Sequence, residues 1–472
     1  MKLSLYSVAI LSILLVSQCF AMTLEDYISE VTKRNSRIES TQNFILSSSL
    51  QKSESKIITS IKAFSLLQVE NDHRQPQFEA FEGVSKERRN FQLGLEQYST
   101  YGVTHRLYTN YSYLDQKKAS FIPNPRVANS ALVYEFTVPL LKNFAGRGVR
   151  TQQEIIKFRN ESNVQKDTFE QRKILAASQA TYWRLKTAQE IVATQNEIIV
   201  QGEKFLSWTQ KRVRDKLSED SDLKQALAIV ELRRFDLQKE KIELLKAQQA
   251  FNSMREKKLN DPIDPLEDFP SDSILPNLPS EKEALSRPDL LSLESQLASE
   301  TLETELGAEN SKMELNLIGS ASTNGLSYDT DPNYGKTLSG KYPAYTLGVR
   351  LSVPLDRESV NDVQKAANLK RHGLNYAIKR NRYESIAGLS QLRLEYEQLS
   401  AQLSLVRTLV SAQESKLKSE RERSRYGRST TFQLLTFEQD YQQARQDLIR
   451  TQGQIWQLSG QAILYSQQAT NL

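Results

Sequence analysis

The residues able to do chemistry in this chain are few and poorly placed for it. Histidines stand at positions 73, 105 and 372, far apart and without ligand spacing, which argues against a metal or histidine-based active site. The single cysteine, Cys19, follows an N-terminal apolar run, so a chain cut behind Ala21 has no thiol for a disulfide, a metal site or a nucleophile. No grouping of nucleophile, base and cleft emerges from the remaining side chains, and no cofactor is implied. An enzyme is the weakest reading. What is left is charge: 62 Lys and Arg against 57 Asp and Glu, a formal net of +5. The two signs are interleaved along helical faces, the usual pattern of solvated helices, and give little support for a nucleic-acid partner. Such a chain acts by shape and placement, so its elements carry the argument.

The first 21 residues have a lone Lys2, an apolar run from Val8 to Val16 and the sequence Cys19-Phe20-Ala21, which reads as a secretory signal with the mature chain starting at Met22. A lipoprotein with an acylated Cys19 competes. Gln18, where that processing wants a small residue, argues against it. No later segment approaches the roughly 18 to 20 apolar residues of a membrane-spanning helix. If the chain crosses a membrane, it does so with strands.

Two long segments carry a countable heptad. Leu185, Val192, Ile199, Leu206 and Val213 recur at sevenfold spacing, and after a polar break near Lys216 to Ser221 the series resumes with Leu223, Val230, Leu237, Leu244 and Phe251. This predicts a helix, a tight turn and an antiparallel return helix. Leu389, Tyr396, Leu403, Val410 and Leu417, followed by Leu434, Tyr441, Leu448, Ile455 and Ala462, repeat the arrangement. Shifting the first return helix by 211 positions lays it on the second in register, which predicts an internal duplication. The descending helices are expected over about Arg150 to Lys216 and Ser359 to Tyr426, each about 100 Å long at ~1.5 Å per residue. A soluble coiled coil has the same heptads.

The flanking segments favour something else. Tyr345, Leu347, Val349, Leu351 and Val353 alternate with Ala344, Thr346, Gly348, Arg350 and Ser352, apolar on one face and small or polar on the other, as a membrane-barrel strand requires. Met313 to Ala321 reads as its hairpin partner across a loop from Ser322 to Gly340. In the first half, Leu132 to Leu140 alternates in the corresponding place, and both strands end in Pro-Leu, Pro139-Leu140 and Pro354-Leu355. A further strand is expected over Ala63 to Asn71. A second candidate hairpin, Phe91 to Tyr98 and Val103 to Leu114, surrounds Gly102. Its tyrosines at 98, 101, 108, 111 and 113 suit a membrane interface or an extracellular flap.

The expected fold class is an α+β membrane protein of two repeats, with long antiparallel coiled coils and transmembrane strands. The expected divisions are a signal peptide (1–21), N-terminal helices (22–62), strands of the first repeat (63–140) and its coiled coil (141–258). A Pro-rich connector (259–280), a helix (281–312), a hairpin (313–355) and the second helix pair with the C-terminus (356–472) follow. In the connector, Pro262, Pro265, Pro270, Pro276 and Pro279 forbid a continuous helix.

On these residues the chain resembles the TolC family of outer-membrane efflux and type I secretion channels. Thr23-Leu24-Glu25 opening a helix, Arg287-Pro288-Asp289-Leu290 opening the second repeat, the strand endings Pro139-Leu140-Leu141 and Pro354-Leu355, and the two helix turns carry the resemblance. It implies a homotrimer in outer-membrane lipid whose strands close one shared barrel and whose helices continue as a hollow α-barrel into the periplasm. It also implies a passive conduit engaged at its helix turns by a periplasmic membrane-fusion adaptor that couples it to an inner-membrane transporter. Cargo is not legible.

Two departures are visible. The family protomer usually gives four strands, whereas counting the extra hairpin gives six here; an extracellular hairpin is the plainer reading. At the turns, the family's Gly is matched by Gly427 but replaced by Lys216, and the acidic position is Asp222 in one turn and Gln433 in the other. Asp222 is a candidate lock to Arg425 or Arg428 at a periplasmic gate, or simply a helix-starting carboxylate. Leu217, Ser218, Gly427, Arg428 and Ser429 are candidate adaptor contacts, or ordinary turn residues. Thr346, Arg350 and Ser352 are expected to face the lumen, and Trp183 and Trp208 to serve packing.

Overall fold

The computed structural model describes residues 21–270, 278–330, 334–426 and 428–465, with the side chains of residues 357, 425 and 431 left out. The expected signal segment up to Phe20, and Gly427, lie outside the described residues. The chain divides into two compact units, one of residues 1–43, 167–287 and 383–472, the other of residues 44–166 and 288–382.

Both units are assembled from elements in the order α1 (Leu24–Arg34), α2 (Ser36–Gln51), α3 (Glu54–Ile57), β1 (Ile61–Asp72), α4 (Glu79–Glu82), β2 (Ser85–Tyr98), β3 (Thr104–Lys117) and β4 (Arg126–Pro139). There follow α5 (Arg147–Arg214), α6 (Asp220–Met254), α7 (Glu281–Leu285), α8 (Pro288–Asn310), β5 (Glu314–Ser327), α9 (Tyr334–Leu338), β6 (Pro343–Ser352), α10 (Arg357–Arg425) and α11 (Thr431–Ala462).

The first unit is helical, and the heptads bury as their spacing demands. Leu185, Val230, Phe251, Leu389, Leu417 and Ile455 are all almost fully enclosed. Close approach of α11 to α5 depends on small residues: a Cβ added at Gly453 would overlap Thr187 Oγ1 and come within 3.0 Å of Thr187 Cβ and Cγ2. The start of α1 is fixed by a capping box, in which the Asp26 N–H donates to Thr23 Oγ1 at 3.0 Å while the Thr23 hydroxyl donates to the Asp26 carboxylate at 2.9 Å. Apolar residues of α1 then enter the core of the first unit. Tyr27 stacks on Phe251 with centroids 4.1 Å apart, and Trp183 packs on Phe269 and Trp456. Trp183 is thus a packing residue, as its place in the heptad segment led one to expect. Each such aromatic contributes roughly 1.5–3 kcal/mol by burial.

Charge also reaches that core. Arg255, 2 % exposed, lies over the Phe251 ring and donates to Glu30 Oε2 at 2.9 Å. Burial pushes the Glu30 carboxyl up, but hydrogen bonds from Lys257 and Arg255 outweigh it and hold the group below the usual carboxylate range. The connector is irregular over its described part, and its backbone meets the segment before α1: the Met22 N–H donates to Pro265 O at 2.8 Å.

The second unit holds an antiparallel six-stranded sheet in sequence order, β1-β2-β3-β4-β5-β6. The extracellular-flap reading of the second hairpin is therefore corrected, since β2 and β3 are inserted between β1 and β4 over nearly their full length. Both strands are longer than expected, because Ser85 to Asn90, charged and unlike a strand in composition, finds partners on both sides. The loop expected from Ser322 is likewise shorter. Strand β5 runs on to Ser327, paired with β4, and the remainder contains α9.

Candidate functional site

Successive residues of a strand point to opposite faces, so the ladder registers fix which side chains share a face. One face carries Tyr345, Leu347, Val349 and Leu351 of β6, Leu315 and Leu317 of β5, Leu132, Tyr134, Phe136 and Val138 of β4, and Leu107 of β3. The same face continues through Leu95, Leu93 and Phe91 of β2 to Leu67 and Val69 of β1. Phe136 lies over Gly319 in the next strand, where a Cβ would collide with the ring, so an aromatic side chain covers the gap the glycine leaves. The second hairpin thus extends a single apolar face.

Its tyrosines do not form one belt. Tyr98 and Tyr108 lie on the polar face and Tyr111 and Tyr113 on the apolar one, while Tyr101 is in the turn. An even stride separates members of one face, and the spacing of these tyrosines mixes even and odd.

The polar face holds Thr346, Arg350 and Ser352, opposite Ser320, Asn316 and Glu314 on β5. The Thr346 row continues through Glu135, Arg106 and Glu96 to Lys62. Arg106 lies between two carboxylates, 3.1 Å from Glu96 and 3.4 Å from Glu135, and its guanidinium sits 4.7 Å from the Phe64 ring centroid and 5.5 Å from that of Tyr108. The Tyr108 hydroxyl donates to Glu135 at 2.7 Å. This cluster was not singled out in the sequence, although the alternation of Glu96 with Leu95 and of Arg106 with Leu107 would have put both on the polar face once the hairpin was taken as wall.

At the turn after α5, Lys216 takes the left-handed conformation, φ +61°, that the family's glycine would occupy without strain. The Leu217 N–H then closes on Arg212 O at 2.8 Å. The same closure recurs 211 positions on, from the Arg428 N–H to Arg423 O at 3.0 Å. Both return helices open with a capping box, Glu219 with Asp222 and Thr430 with Gln433.

Asp222 is committed to that cap: it accepts from the Ser218 hydroxyl at 2.6 Å and the Glu219 N–H at 3.3 Å. Among the described residues no ion pair joins it to Arg428. Leu217 is 66 % exposed. Ser429 donates instead to Glu420, a nearly buried carboxylate that also lies 3.3 Å from Arg423. Nearby, Arg421 holds Glu438 at 2.9 Å and Lys416 holds Asp440 at 3.2 Å. Trp208 packs against Phe205 beneath Arg212.

No protein-family model matches the sequence, and no curated protein matches it. Solved structures do. CusC, from work on folding and transmembrane channel formation, is 14 % identical with a TM-score of 0.67 over 94 % of this chain and 92 % of its own. The outer membrane protein VceC of Vibrio cholerae is 11 % identical with a TM-score of 0.67 over 94 % and 96 %. The open state of the MtrE outer membrane channel of Neisseria gonorrhoeae gives 15 %, 0.65, 94 % and 88 %. With nearly complete coverage on both sides and little sequence in common, the chain has the fold of these outer-membrane channels, the fold that its resemblance to the TolC family implied.

Proposed function

We propose that the chain is a passive exit duct of the outer membrane. It works as a homotrimer, with a periplasmic membrane-fusion adaptor and an inner-membrane transporter, to export small molecules or proteins. The observation that carries this reading is the six-stranded sheet with one apolar and one polar face, attached to coiled-coil helices. A soluble half-buried sheet covers its apolar face with other elements. Here Tyr345, Leu347, Val349 and Leu351 are between 61 % and 78 % exposed, which suits contact with lipid. The naming of the structural neighbours as outer-membrane proteins and channels points the same way.

In this reading the sheet crosses the outer membrane, the long helix pairs stand in the periplasm as two repeats of one ancestral unit, and Thr346, Arg350 and Ser352 line the lumen. The turns at Leu217, Ser218, Gly427, Arg428 and Ser429 meet the adaptor. Asp222, Arg425 and Arg428 bias the periplasmic gate, with Asp222 released from its cap on Ser218 and Glu219 when it pairs with an arginine. Transport requires no bond-making by the chain.

A periplasmic coiled-coil scaffold is the alternative, and fractionation separates the two. The duct fractionates with the outer membrane and runs as a heat-sensitive trimer on gels. Release by osmotic shock as a soluble species would overturn it.

A further inference from the structure

The second hairpin and the two free edges of the sheet carry an inference about the width of the pore, and it rests on the trimeric duct proposed above. We propose that three copies close an eighteen-stranded barrel in which β6 of one copy pairs antiparallel with β1 of the next, Leu347 standing opposite Leu67.

The hairpin is built into the wall rather than laid on it. On its apolar face Leu95 stands between Ala63 and Leu107 and Phe91 between Leu67 and Tyr111, with Arg89 and Gln97 at the two ends of the same row. Its turn is also locked to the corner where β4 gives way to α5. There Asn143 Nδ2–H donates to the Tyr98 hydroxyl at 2.6 Å, and Gly102 and Gly146 pack so closely on Asn143 and Thr100 that a Cβ at either would collide. That corner itself adopts an irregular run with positive φ at Asn143, Ala145 and Gly146. A flap free to swing away would have no use for such a seat.

The edges supply the partner. Among the described residues, strands β1 and β6 each have one ladder side unpaired, and they run in opposite directions. Unpaired backbone groups cannot face hydrocarbon, so each edge needs a strand from another copy. The two side chains named above, Leu67 at 73 % and Leu347 at 74 % exposure, are among the most exposed apolar groups of the sheet.

The register follows from the stagger already present. A row of paired residues from Ile61 passes through Gln97, His105, Phe136 and Gly319 and arrives at Leu347. Yet β1 spans Ile61–Asp72, with its midpoint between Leu66 and Leu67, and β6 spans Pro343–Ser352, with its midpoint between Leu347 and Gly348. Pairing the two midpoints moves the row about six residues along β1, from Ile61 to Leu67. Because the shift is even, apolar residues meet apolar ones. Tyr345 then faces Val69, and Arg350 on the polar face meets Phe64.

A stagger of about one residue per strand, at ~3.3 Å rise and ~4.8 Å strand spacing, tilts the strands by about 35°, as closed barrels require. Eighteen strands at that tilt give a backbone radius of about 17 Å, against about 11 Å if the hairpin stood outside the wall and each copy gave four. Arg106, held by two carboxylates against two rings, lies along the wall instead of projecting into the bore. With about 5 Å allowed for side chains, the membrane section has room for two helices of ~10 Å side by side. The cargo class this width admits includes partly folded polypeptide, such as a helical hairpin.

No cysteine follows Cys19 in the sequence, so in a chain cut behind Ala21 introduced cysteines report cleanly. Leu67→Cys with Leu347→Cys in one chain is expected to give covalent trimers on oxidation in outer membranes, and Ala63→Cys with Leu347→Cys, four positions out of register, is not. A nitroxide at Leu347→Cys alone, reaching about 6 Å outward from the wall, gives pulsed dipolar distances of about 40 Å between copies for eighteen strands and about 30 Å for twelve. A heat-sensitive trimer with the shorter distance, or with cross-linking only at the out-of-register pair, overturns the eighteen-stranded barrel. Absence of any trimer in the outer membrane overturns the duct itself, so the two failures are distinct.

Discussion

Gly453→Ala is the substitution whose effect is worked out most directly from the packing of the helical unit. The added Cβ would overlap Thr187 Oγ1 and stand 3.0 Å from both Thr187 Cβ and Cγ2. Thr187 is branched at Cβ and sits in the middle of α5, so it has few rotamers to yield into. Its hydroxyl donates to Trp183 O at 2.7 Å, and rotating it away forfeits a bond worth about 1 kcal/mol. If the side chain holds, α11 must back away from α5 instead, and overpacking of this kind costs about 1–3 kcal/mol. By either route about 1–3 kcal/mol is expected, offset slightly by the better helix propensity of Ala. For a unit of this size that is about 2–12 °C in Tm. The assay is thermal unfolding of the detergent-solubilised protein followed by circular dichroism, with Thr187→Ala as the second arm. Gly453→Ala alone lowers Tm, and the double variant recovers most of the loss because Oγ1 and Cγ2 are gone. An unchanged Tm in the single variant, or strictly additive effects in the pair, would refute the helix contact on which the argument rests.

Other expectations follow from the turns and the buried pair. Lys216→Gly removes left-handed strain at the end of α5 and is expected to raise stability by about 0.5–1 kcal/mol, measured by thermal unfolding. Asp222→Asn keeps an oxygen that can accept from Ser218 and is expected to be stable, whereas Asp222→Ala loses the cap at a cost of about 1 kcal/mol. If Asp222 acts only as a cap, both variants keep the parent single-channel conductance; a rise in both, tracking the lost charge, identifies the gate. Glu30 has a folded carboxyl held below its ordinary range, so its stabilising contribution is present above that range and is lost as pH falls through the folded value. Glu30→Gln is therefore expected to lower Tm at neutral pH, with the gap to the parent protein closing in acid. A gap independent of pH would mean that the loss is one of packing, not of charge.

The sequence showed most where one period dominates. Sevenfold spacing located both helix pairs, and the polar breaks marked both turns, because a buried stripe on a long helix leaves no other pattern open. Strands were legible where apolar and polar residues alternate, as in Tyr345 to Val353. They were not legible in Ser85 to Asn90, where consecutive charges look like loop, nor in Ser322 to Ser327, where small polar residues do. Both segments are strands because their neighbours offer complete ladders, a nonlocal cause that composition does not record. The Arg106 cluster was hidden for the same reason: Glu96, Arg106 and Glu135 come from three strands, and only the register brings them into one row. At the turns the residue types were seen, but their bonding was not. Asp222 reads equally well as lock or cap until its hydrogen bonds are known.

The central claim, that the whole sheet including the second hairpin stands in lipid, is tested most directly by single cysteines along β2 in intact outer membranes. Phe91, Leu93 and Leu95 lie on the apolar face and Gln92 and Glu96 on the polar one. Cysteines at the first three positions are expected to resist a water-soluble maleimide and to place a bound fluorophore within reach of a lipid-borne quencher. Those at Gln92 and Glu96 should react readily and escape quenching. Uniform reactivity with the aqueous reagent at all five positions would contradict the membrane wall.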